Sequence, residues 1–307
     1  MTEIQISVLI ATRNRSSSLS RLINELSAQV DAPPFEVIVG DNGSSDDTPK
    51  VVKNARNRLQ IHYVREERPG KSRALNAALR IAQGKLIVFT DDDVVPQPDW
   101  LSQLYSASQR YPDVNIFGGQ IDVNLEEVPS WIKRSFNLMG LLTSAHNFGN
   151  SDTRYNYGQY PFGPNMAIRR NCIKSLNKPY PEYIGPGTEL PVGDETMFLS
   201  PFSPADSKDR IFIASACVTH DVEAENVNFF GAFKRCYLAG RGGGILGFST
   251  TATGKSKIIS TSSLISQRLI TCRSLRELIC ITIRYFGYLQ GHYERRKKEF
   301  FIDGKKF

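Results

Sequence analysis

Three adjacent carboxylates follow a short apolar segment in the first third of the chain. Residues 86–90 (LIVFT) have the composition of a buried strand, and Asp91, Asp92 and Asp93 come directly after them. Because neighbouring carboxylates repel one another, such a group normally requires a counter-charge. Oxygen ligands suit magnesium or manganese, which bind few protein carboxylates and complete their coordination with substrate phosphates and water. The run therefore indicates a metal site, although a solvated acidic turn before the next helix would have the same sequence.

These aspartates are the last of four polar clusters that accompany short apolar segments. The apolar segments are residues 4–11, 35–39, 61–64 and 86–90, and the clusters are residues 12–15, 41–46, 70–73 and 91–93. Stretches of about ten residues with apolar side chains at helical spacing lie between the strands, and this alternation predicts an α/β fold. We expect a mixed, mainly parallel central sheet with helices on both faces. All four clusters should then lie beyond the carboxyl ends of its strands, where such sheets bind ligands.

Further elements are predicted after the aspartates. Pro98 is expected in the first turn of a helix that ends at Arg110, and residues 114–121 and 211–219 have the pattern of strands. The second of these strands ends at His220. The predicted functional division is a nucleotide-sugar-binding half (1–122), an acceptor-binding and catalytic half (123–250) and a basic helical extension (251–307).

Glycine loops that bind phosphate in other nucleotide enzymes are missing from this sequence. No Gly-x-Gly-x-x-Gly follows the first apolar segment, and no Gly-x-x-x-x-Gly-Lys-Ser/Thr is present, which argues against the dinucleotide and P-loop classes. A diphosphate could instead be neutralised by Arg13, Arg15, Lys71 and Arg73, because all four are expected at the same edge of the sheet.

The composition is that of a folded protein from a reducing compartment. The chain is 40% hydrophobic and 22% charged, close to globular averages. Its five cysteines are odd in number and form no Cys-x-x-Cys, which argues against a disulfide framework and a zinc ribbon. The N-terminus lacks the features of a signal peptide, and no apolar run reaches the ~18 residues of a membrane span. We therefore expect a cytoplasmic protein.

Positive charge is concentrated near the C-terminus. Residues 255–298 hold ten Lys/Arg and two Glu, a net charge of +8 against +7 for the whole chain. Apolar residues recur there at helical spacing, namely Leu275, Ile279, Ile283, Phe286 and Leu289. Such a cationic amphipathic helix either rests on anionic lipid or packs against the catalytic domain.

Four segments in this order resemble the successive signatures of family-two glycosyltransferases. They are residues 11–15 (ATRNR), 40–46 (GDNGSSD), 70–76 (GKSRALN) and 89–96 (FTDDDVVP). The resemblance implies the A-type nucleotide-sugar-binding fold, an Asp-x-Asp motif for Mn²⁺ or Mg²⁺, and inversion at the anomeric carbon. The first signature has Ala11 and Arg13 where the family more often has Pro and Tyr.

The resemblance also implies roles for individual residues in donor binding. The donor-binding set is Thr12, Arg13, Arg15, Asp41, Lys71, Arg73, Asp91 and Asp92, and the metal ligands are Asp93, Asp91 and His220. Thr12 and Asp41 would contact the base, and an acceptor carboxylate at Asp41 favours uracil. Lys71 or Arg73 would reach the base or the diphosphate. Asp92 occupies the variable middle position of the motif.

Two later segments resemble the acceptor side and the catalytic base of the same family. Residues 163–169 (GPNMAIR) place Asn165 and Arg169 on the acceptor side. Residues 192–196 (VGDET) resemble the Glu-Asp segment with its order reversed, so that Glu195 takes the position of the base and Asp194 is the alternative. The same pair could instead be an ordinary helix N-terminal cap. The glycine-rich residues 240–244 are expected to form a mobile basic loop or a plain flexible one.

The sequence therefore predicts a metal-dependent inverting transferase. It would move a sugar from a nucleotide-sugar, UDP-linked by preference, to a glycan or lipid-linked acceptor. Peripheral contact with an anionic membrane through the basic C-terminal helices is one of the two alternatives for that segment, and nucleic acid is not expected as a partner. The alternatives are a nucleotidyltransferase that makes a nucleotide-sugar, and a basic module that binds nucleic acid or lipid without catalysis.

Overall fold

A computed structural model describes residues 3–156, 158–173, 180–201, 203, 208–246, 274–297, 301–302 and 305–306. Residues 251–273, which belong to the predicted basic helical extension, therefore lie outside the described residues. Contacts divide the chain into two compact units. Unit 1 comprises residues 1–122, 146–189 and 194–221, and unit 2 comprises residues 123–145, 190–193 and 222–307. The three-part functional division along the chain stays a prediction.

Unit 1 is built on a large mixed sheet. Its strands are β1 (Ile6–Thr12), β2 (Phe35–Asp41), β3 (Ile61–Arg65), β4 (Leu86–Asp91), β5 (Val94–Pro96), β6 (Ile116–Val123), β7 (Thr153–Arg154), β8 (Met166–Arg169) and β9 (Arg210–His220). The spatial order is β3-β2-β1-β4-β8-β6-β9-β5, with β7 paired to β9. Strands β1 to β4 pair in parallel, whereas β8 pairs antiparallel with β4 and β6. The prediction of a mixed, mainly parallel α/β sheet is confirmed.

Helices cover both faces of this sheet. They are α1 (Ser16–Ser27), α2 (Thr48–Ala55), α3 (Lys71–Leu79), α4 (Trp100–Arg110), a short α7 (Arg170–Ile173) and α8 (Asp194–Leu199). Successive side chains of β1 pack into different hydrophobic cores, one on each face of the sheet, because side chains alternate across a strand. Val8 and Ile10 pack with α1 and α4, whereas Leu9 packs with α3 and α8. The helix predicted after Pro98 begins at Trp100, so Pro98 precedes the helix and its predicted place in the first turn was wrong.

Unit 2 is helical. Its elements are α5 (Ser130–Lys133), α6 (Phe136–Thr143), α9 (Ala224–Val227), α10 (Phe229–Leu246), α11 (Leu275–Lys297) and a short hairpin of β10 (Phe301–Ile302) and β11 (Lys305–Lys306). Its apolar core joins Val128 and Ile132 of the first segment to Cys236 of α10 and Cys280 of α11. No helix within the described ranges combines the length and apolar character that a bilayer span requires.

The glycine run predicted as a loop lies inside α10. A Cβ on Gly240 would come within 1.9 Å of the Arg284 carbonyl oxygen, and one on Gly287 within 2.3 Å of the Tyr237 carbonyl oxygen. These glycines therefore allow the backbones of α10 and α11 to approach closely, which is why the segment is helical. The loop prediction was wrong because it treated glycine only as a source of flexibility.

Candidate active site

The strand register brings the polar clusters to one edge of the sheet. Thr12 at the end of β1 pairs with Asp41 at the end of β2, and Ala11 pairs with Asp91 at the end of β4. Parallel strands in register end at the same level, so the side chains that follow them share one edge. The clusters that begin at Thr12, Asp41 and Asp91 start on the last residue of β1, β2 and β4, because these strands end one or two residues later than the apolar pattern suggested. The cluster of residues 70–73 instead lies at the start of α3.

Asp92, the middle residue of the Asp-x-Asp motif, contacts the first signature (residues 11–15) and is more than a spacer between Asp91 and Asp93. Its carboxylate accepts a hydrogen bond from Thr12 Oγ1 at 2.6 Å and lies 3.4 Å from Arg15 Nη1. The side chain is 5% exposed. Burial raises the pKa of Asp92 to about 7, and the neighbouring Asp93 adds to this effect, while the Thr12 hydroxyl opposes it. Asp92 therefore fixes the position of the loop after β1.

Asp93 lies between an arginine and a histidine. Arg15 Nη1 donates to Asp93 Oδ2 at 2.5 Å, and His220 Nε2 lies 3.4 Å from Asp93 Oδ1. Burial alone would raise the pKa of Asp93, but His220 and Arg15 outweigh it and hold the pKa below its usual value. The pKa of His220 is raised, because the attraction of Asp93 and Asp91 exceeds the effect of burial. The predicted partners Asp93 and His220 are thus brought together by β9.

Asp91, Asp93 and His220 could hold a divalent cation. One ligand atom from each lies within 4.8 Å of the others. Asp93 Oδ1 is buried and has no hydrogen-bond partner, as expected for an oxygen that binds an ion. Two carboxylates and one imidazole form a donor set that manganese accepts, and magnesium would be held mainly through the oxygens. The residues therefore fit the predicted metal.

Lys71 lies at the centre of a group of acids. Its ammonium contacts Asp91 Oδ1 at 2.5 Å, and it interacts electrostatically with Asp194 and Glu195. Burial would lower the pKa of Lys71, but these three carboxylates outweigh it, so the pKa is raised and the side chain is cationic. Lys71 thus connects the candidate metal site to the predicted base.

Asp194 and Glu195 form a cleft with Lys71 and Asp91. The wall of the cleft also includes Gly163. A Cβ on Gly163 would come within 2.6 Å of Glu195 Oε1, so the glycine lets this carboxylate lie directly against the backbone. The helix-cap interpretation is compatible with this geometry, because both acids lie in the first turn of α8.

The two acids differ in environment. Asp194 is 3% exposed and its Oδ2 has no hydrogen-bond partner, whereas Glu195 is partly exposed. Burial and the adjacent carboxylate of Glu195 raise the pKa of Asp194 well above its ordinary value, although Lys71 opposes them. Asp194 therefore takes up a proton more readily than an ordinary aspartate, and the carboxylate of Glu195 adjoins it.

The residue predicted to recognise the base is engaged by the protein. Asp41 is fully buried, and its two oxygens accept hydrogen bonds from Ser44 N at 2.8 Å and from Tyr63 Oη at 2.5 Å. Arg65 Nη1 lies 3.5 Å from the same carboxylate. A ring N–H of a base would have to share or displace one of these donors. Tyr63 was missed by the sequence reasoning, since nothing in the strand pattern of β3 distinguishes it.

The remaining predicted cations occupy different surroundings. Arg13 is exposed, whereas Arg73 Nη1 lies 3.4 Å from Glu182 Oε2. Glu182 also lies 3.7 Å from Arg68 Nη1. The Arg73 guanidinium is thus held by an acid from a distant segment that sequence spacing could not reveal.

The prediction that Asn165 and Arg169 bind the acceptor was wrong. Asn165 is fully buried, accepts from Trp100 Nε1 and donates to the carbonyl oxygens of Gln120 and Ala216. Arg169 pairs with Leu86 at the start of β4, at the opposite end of the strand from Asp91.

Arg169 has a structural role instead. Its guanidinium donates to the carbonyl oxygens of Ser108, Tyr111 and Val114, which fixes the end of α4 to the following strand. Asn165 likewise joins three parts of the core. The segment around Gly163 still contributes to the site, but through its backbone.

Comparisons with known proteins identify the family. The profile described as Glycosyl transferase family 2 matches residues 7–176, more than half of the chain. The chain is a member of glycosyl transferase family 2. The matched residues include all four clusters of the sheet edge, whereas Asp194, Glu195 and His220 lie beyond them, so their roles depend on the geometry.

Individual relatives resemble parts of this family member. Validoxylamine A glucosyltransferase of Streptomyces hygroscopicus subsp. limoneus is 38% identical over 105 residues, which cover 33% of this chain and 23% of the relative. The chain spans a quarter or less of the length of the first curated relatives that it matches.

Two solved structures share the fold. The structure of S. aureus TarS 1–349 in complex with UDP has a TM-score of 0.55 at 18% identity, covering 98% of this chain and 95% of that one. The mannosyltransferase PcManGT of Pyrobaculum calidifontis, in complex with GDP-Man and Mn²⁺, has a TM-score of 0.57 at 17% identity, covering 97% and 76%. At such identities the likeness concerns the fold alone.

Proposed function

We propose that this protein is a metal-dependent inverting glycosyltransferase that moves a sugar from a nucleotide-sugar to a hydroxyl group. One observation carries the proposal: Lys71 lies between the Asp91–Asp93–His220 ligand set and the Asp194–Glu195 pair. A cation site for a diphosphate and a carboxylate for the acceptor thus adjoin one cleft. The proposal is supported by membership of glycosyl transferase family 2 and by the two solved structures of the same fold, one with UDP and one with GDP-Man and Mn²⁺.

Donor binding is assigned to the ends of β1, β2 and β4. Asp91, Asp93 and His220 would hold Mn²⁺ or Mg²⁺, which stabilises the negative charge of the departing diphosphate. Arg15 and Lys71 would supply further positive charge for the phosphates. Their present contacts with Asp93 and Asp91 hold both cations beside the site.

The nucleotide base is assigned to Thr12 and Asp41. A buried carboxylate can accept from a ring N–H, which favours a uridine nucleotide, and the UDP complex of TarS is consistent with this choice. Thr12 is held by Asp92 and so reaches the same edge with a fixed orientation. Arg13 and Arg73 are proposed to approach the donor from the margin of the site.

Glu195 is proposed as the general base. A base must be ionised and must reach the acceptor hydroxyl, and Glu195 is the partly exposed member of the pair. The protonated Asp194 would donate a hydrogen bond to Glu195 and hold it in place. The configuration inverts because the deprotonated acceptor hydroxyl attacks the anomeric carbon in a single step, from the side opposite the leaving group.

The acceptor is proposed to be a glycan or a lipid-linked glycan, as in the synthesis of cell-surface polysaccharide. We also propose that the protein acts in a reducing cytoplasm, because the cysteines of the described ranges are free thiols, namely Cys172, Cys217, Cys236 and Cys280. Nucleic acid is not proposed as a partner. The basic excess lies in the C-terminal part of the sequence, away from the residues of the sheet edge.

Slow hydrolysis of UDP-sugars tests the proposal without a known acceptor. We expect UDP release from at least one UDP-sugar with Mn²⁺ or Mg²⁺, and loss of release with a chelator or in Asp93→Ala. The matched control is Asp113→Ala, since Asp113 is an exposed aspartate of the same unit that pairs with Arg154. Metal-independent release, or an Asp93→Ala enzyme as active as the control, would show that the proposal is wrong.

A further inference from the structure

The outward side of α11 carries a line of exposed apolar side chains. Leu275 is 72% exposed, Phe286 59%, Leu289 46% and Tyr293 52%. At 100° per residue these four positions fall on one side of the helix, and they extend for about 27 Å along it. We call them the outer stripe. An exposed apolar surface of this length is unusual on a water-facing helix.

The opposite side of α11 is the one that packs within unit 2. Cys280 is fully buried, and Gly287 and Gly291 pack against the backbone of α10 at Tyr237 and Arg241. The sequence predicted Leu275, Phe286 and Leu289 as part of one apolar face, and the structure leaves these three side chains exposed. Contact with α10 is made instead by small residues, so the outer stripe is not needed for packing in unit 2.

Exposed charge beside the outer stripe is positive. Arg296 lies next to the stripe around the helix and Arg276 lies at its margin, and both are exposed, whereas the two acids of α11 are engaged elsewhere. Glu277 is buried, and Glu294 lies 3.0 Å from the guanidinium of Arg241. The preceding segment, residues 247–273, lies outside the described residues, and its sequence holds four Lys/Arg and no Asp or Glu.

We propose that the outer stripe of α11 lies in the surface of an anionic membrane. A helix with large apolar side chains on one side and basic residues beside them suits the boundary between acyl chains and anionic headgroups. Leu275, Phe286, Leu289 and Tyr293 would enter this boundary, and Arg276 and Arg296 would contact the headgroups. The inference does not depend on the proposed sugar transfer.

A second copy of the chain fits the same surface less well. Residues 282, 286, 289 and 293 have the 4-3-4 spacing of a coiled-coil seam, so two α11 helices could pair in principle. In a parallel pair, however, Arg295 and Arg296 of the two copies would repel each other. In an antiparallel pair they would meet the end that bears Arg276 and no exposed acid. The charge therefore favours lipid over self-association.

Sedimentation of the full-length protein with vesicles tests the inference. We expect binding to phosphatidylcholine vesicles that contain phosphatidylglycerol, and much weaker binding to phosphatidylcholine alone. The double variant Phe286→Ser/Leu289→Ser should bind at least tenfold more weakly. The double variant Arg276→Gln/Arg296→Gln should bind about fivefold more weakly for each arginine, since each basic residue near an anionic surface contributes about 1 kcal/mol. Ile81→Ser, an equally exposed apolar change in unit 1, should bind like the unaltered protein.

Three results would overturn the inference. The first is an absence of binding to the anionic vesicles, and the second is binding that Phe286→Ser/Leu289→Ser leaves unchanged. The third is a dimer, detected by sedimentation velocity without lipid, that the same double variant dissociates. Metal-dependent UDP release in lipid-free buffer, measured on the same samples, shows separately whether the proposed transferase function stands.

Discussion

Replacement of each acid of α8 by its amide should separate the base from its partner. Glu195→Gln removes the only group of the pair that is proposed to take a proton, and Asp194→Asn replaces a carboxyl whose raised pKa favours the protonated form. General-base catalysis contributes typically about 10²–10⁴-fold, or about 3–5.5 kcal/mol of the barrier. We therefore expect Glu195→Gln to lower kcat by about this factor.

Asp194→Asn should have a much smaller effect. An asparagine amide has the shape of the protonated carboxyl and can donate to Glu195 in its place. The expected loss is that of a slightly altered hydrogen bond, about 1 kcal/mol, which corresponds to about fivefold in kcat. Both variants should bind the donor as the unaltered protein does, because neither residue belongs to the metal-ligand set.

The assay is the initial rate of UDP release from a UDP-sugar with Mn²⁺, combined with calorimetric titration of UDP. The reasoning is refuted if Asp194→Asn loses as much activity as Glu195→Gln, or if Glu195→Gln stays active while Asp194→Asn does not. A Glu195→Gln enzyme that no longer binds UDP would also contradict it, since the residue would then act on the donor.

Two further predictions concern stability. Gly240→Ala places a methyl group 1.9 Å from the Arg284 carbonyl oxygen and should destabilise the protein by about 1–3 kcal/mol, measured by urea unfolding followed by circular dichroism. Gly243→Ala, whose added methyl group has its nearest neighbour 3.9 Å away, should stabilise the protein by about 0.5–1 kcal/mol. Equal effects of the two changes would exclude the close contact between α10 and α11. Burial lowers the pKa of His146 to about 4. The stability that the neutral His146 contributes is therefore fully present above pH ~6.5 and is lost as the pH falls toward 4. His146 should contribute a loss of about 2 kcal/mol between pH 7 and pH 5, measured as the difference in unfolding free energy between the unaltered protein and His146→Gln, which can still accept from Tyr155. The comparison with the variant is needed because Asp92 titrates in the same range with the opposite effect.

The sheet and its edge were predictable because they depend on local patterns. Continuous apolar runs predict buried parallel strands, and such strands end at one edge wherever they pair in register. In the stretch after the first strand, the residues at helical spacing are Leu19, Leu22, Ile23 and Leu26, and all four are buried on the inward side of α1. The candidate metal ligands Asp91 and Asp93 were identified for the same reason, since they follow β4 directly.

Other features depended on contacts between distant residues. Asn165 and Arg169 were assigned to the acceptor by position in a motif, but their partners Trp100 and Ser108 lie about sixty residues away and hold them in the core. The glycines of α10 were predicted as a loop because the sequence does not show that they pack against the backbone of α11. Sequence spacing indicates which residues share a strand or a helix side, but it does not indicate which backbone they meet.

Calorimetric titration of UDP with and without Mn²⁺ is the most direct test of the central claim, which is a metal-dependent donor site at the ends of β1, β2 and β4. We predict that UDP binds with Mn²⁺ present, that a chelator weakens binding strongly, and that Asp93→Ala abolishes the metal effect while Asp113→Ala retains it. UDP binding of equal strength with Mn²⁺ and with chelator, or an unaltered metal effect in Asp93→Ala, would contradict the account.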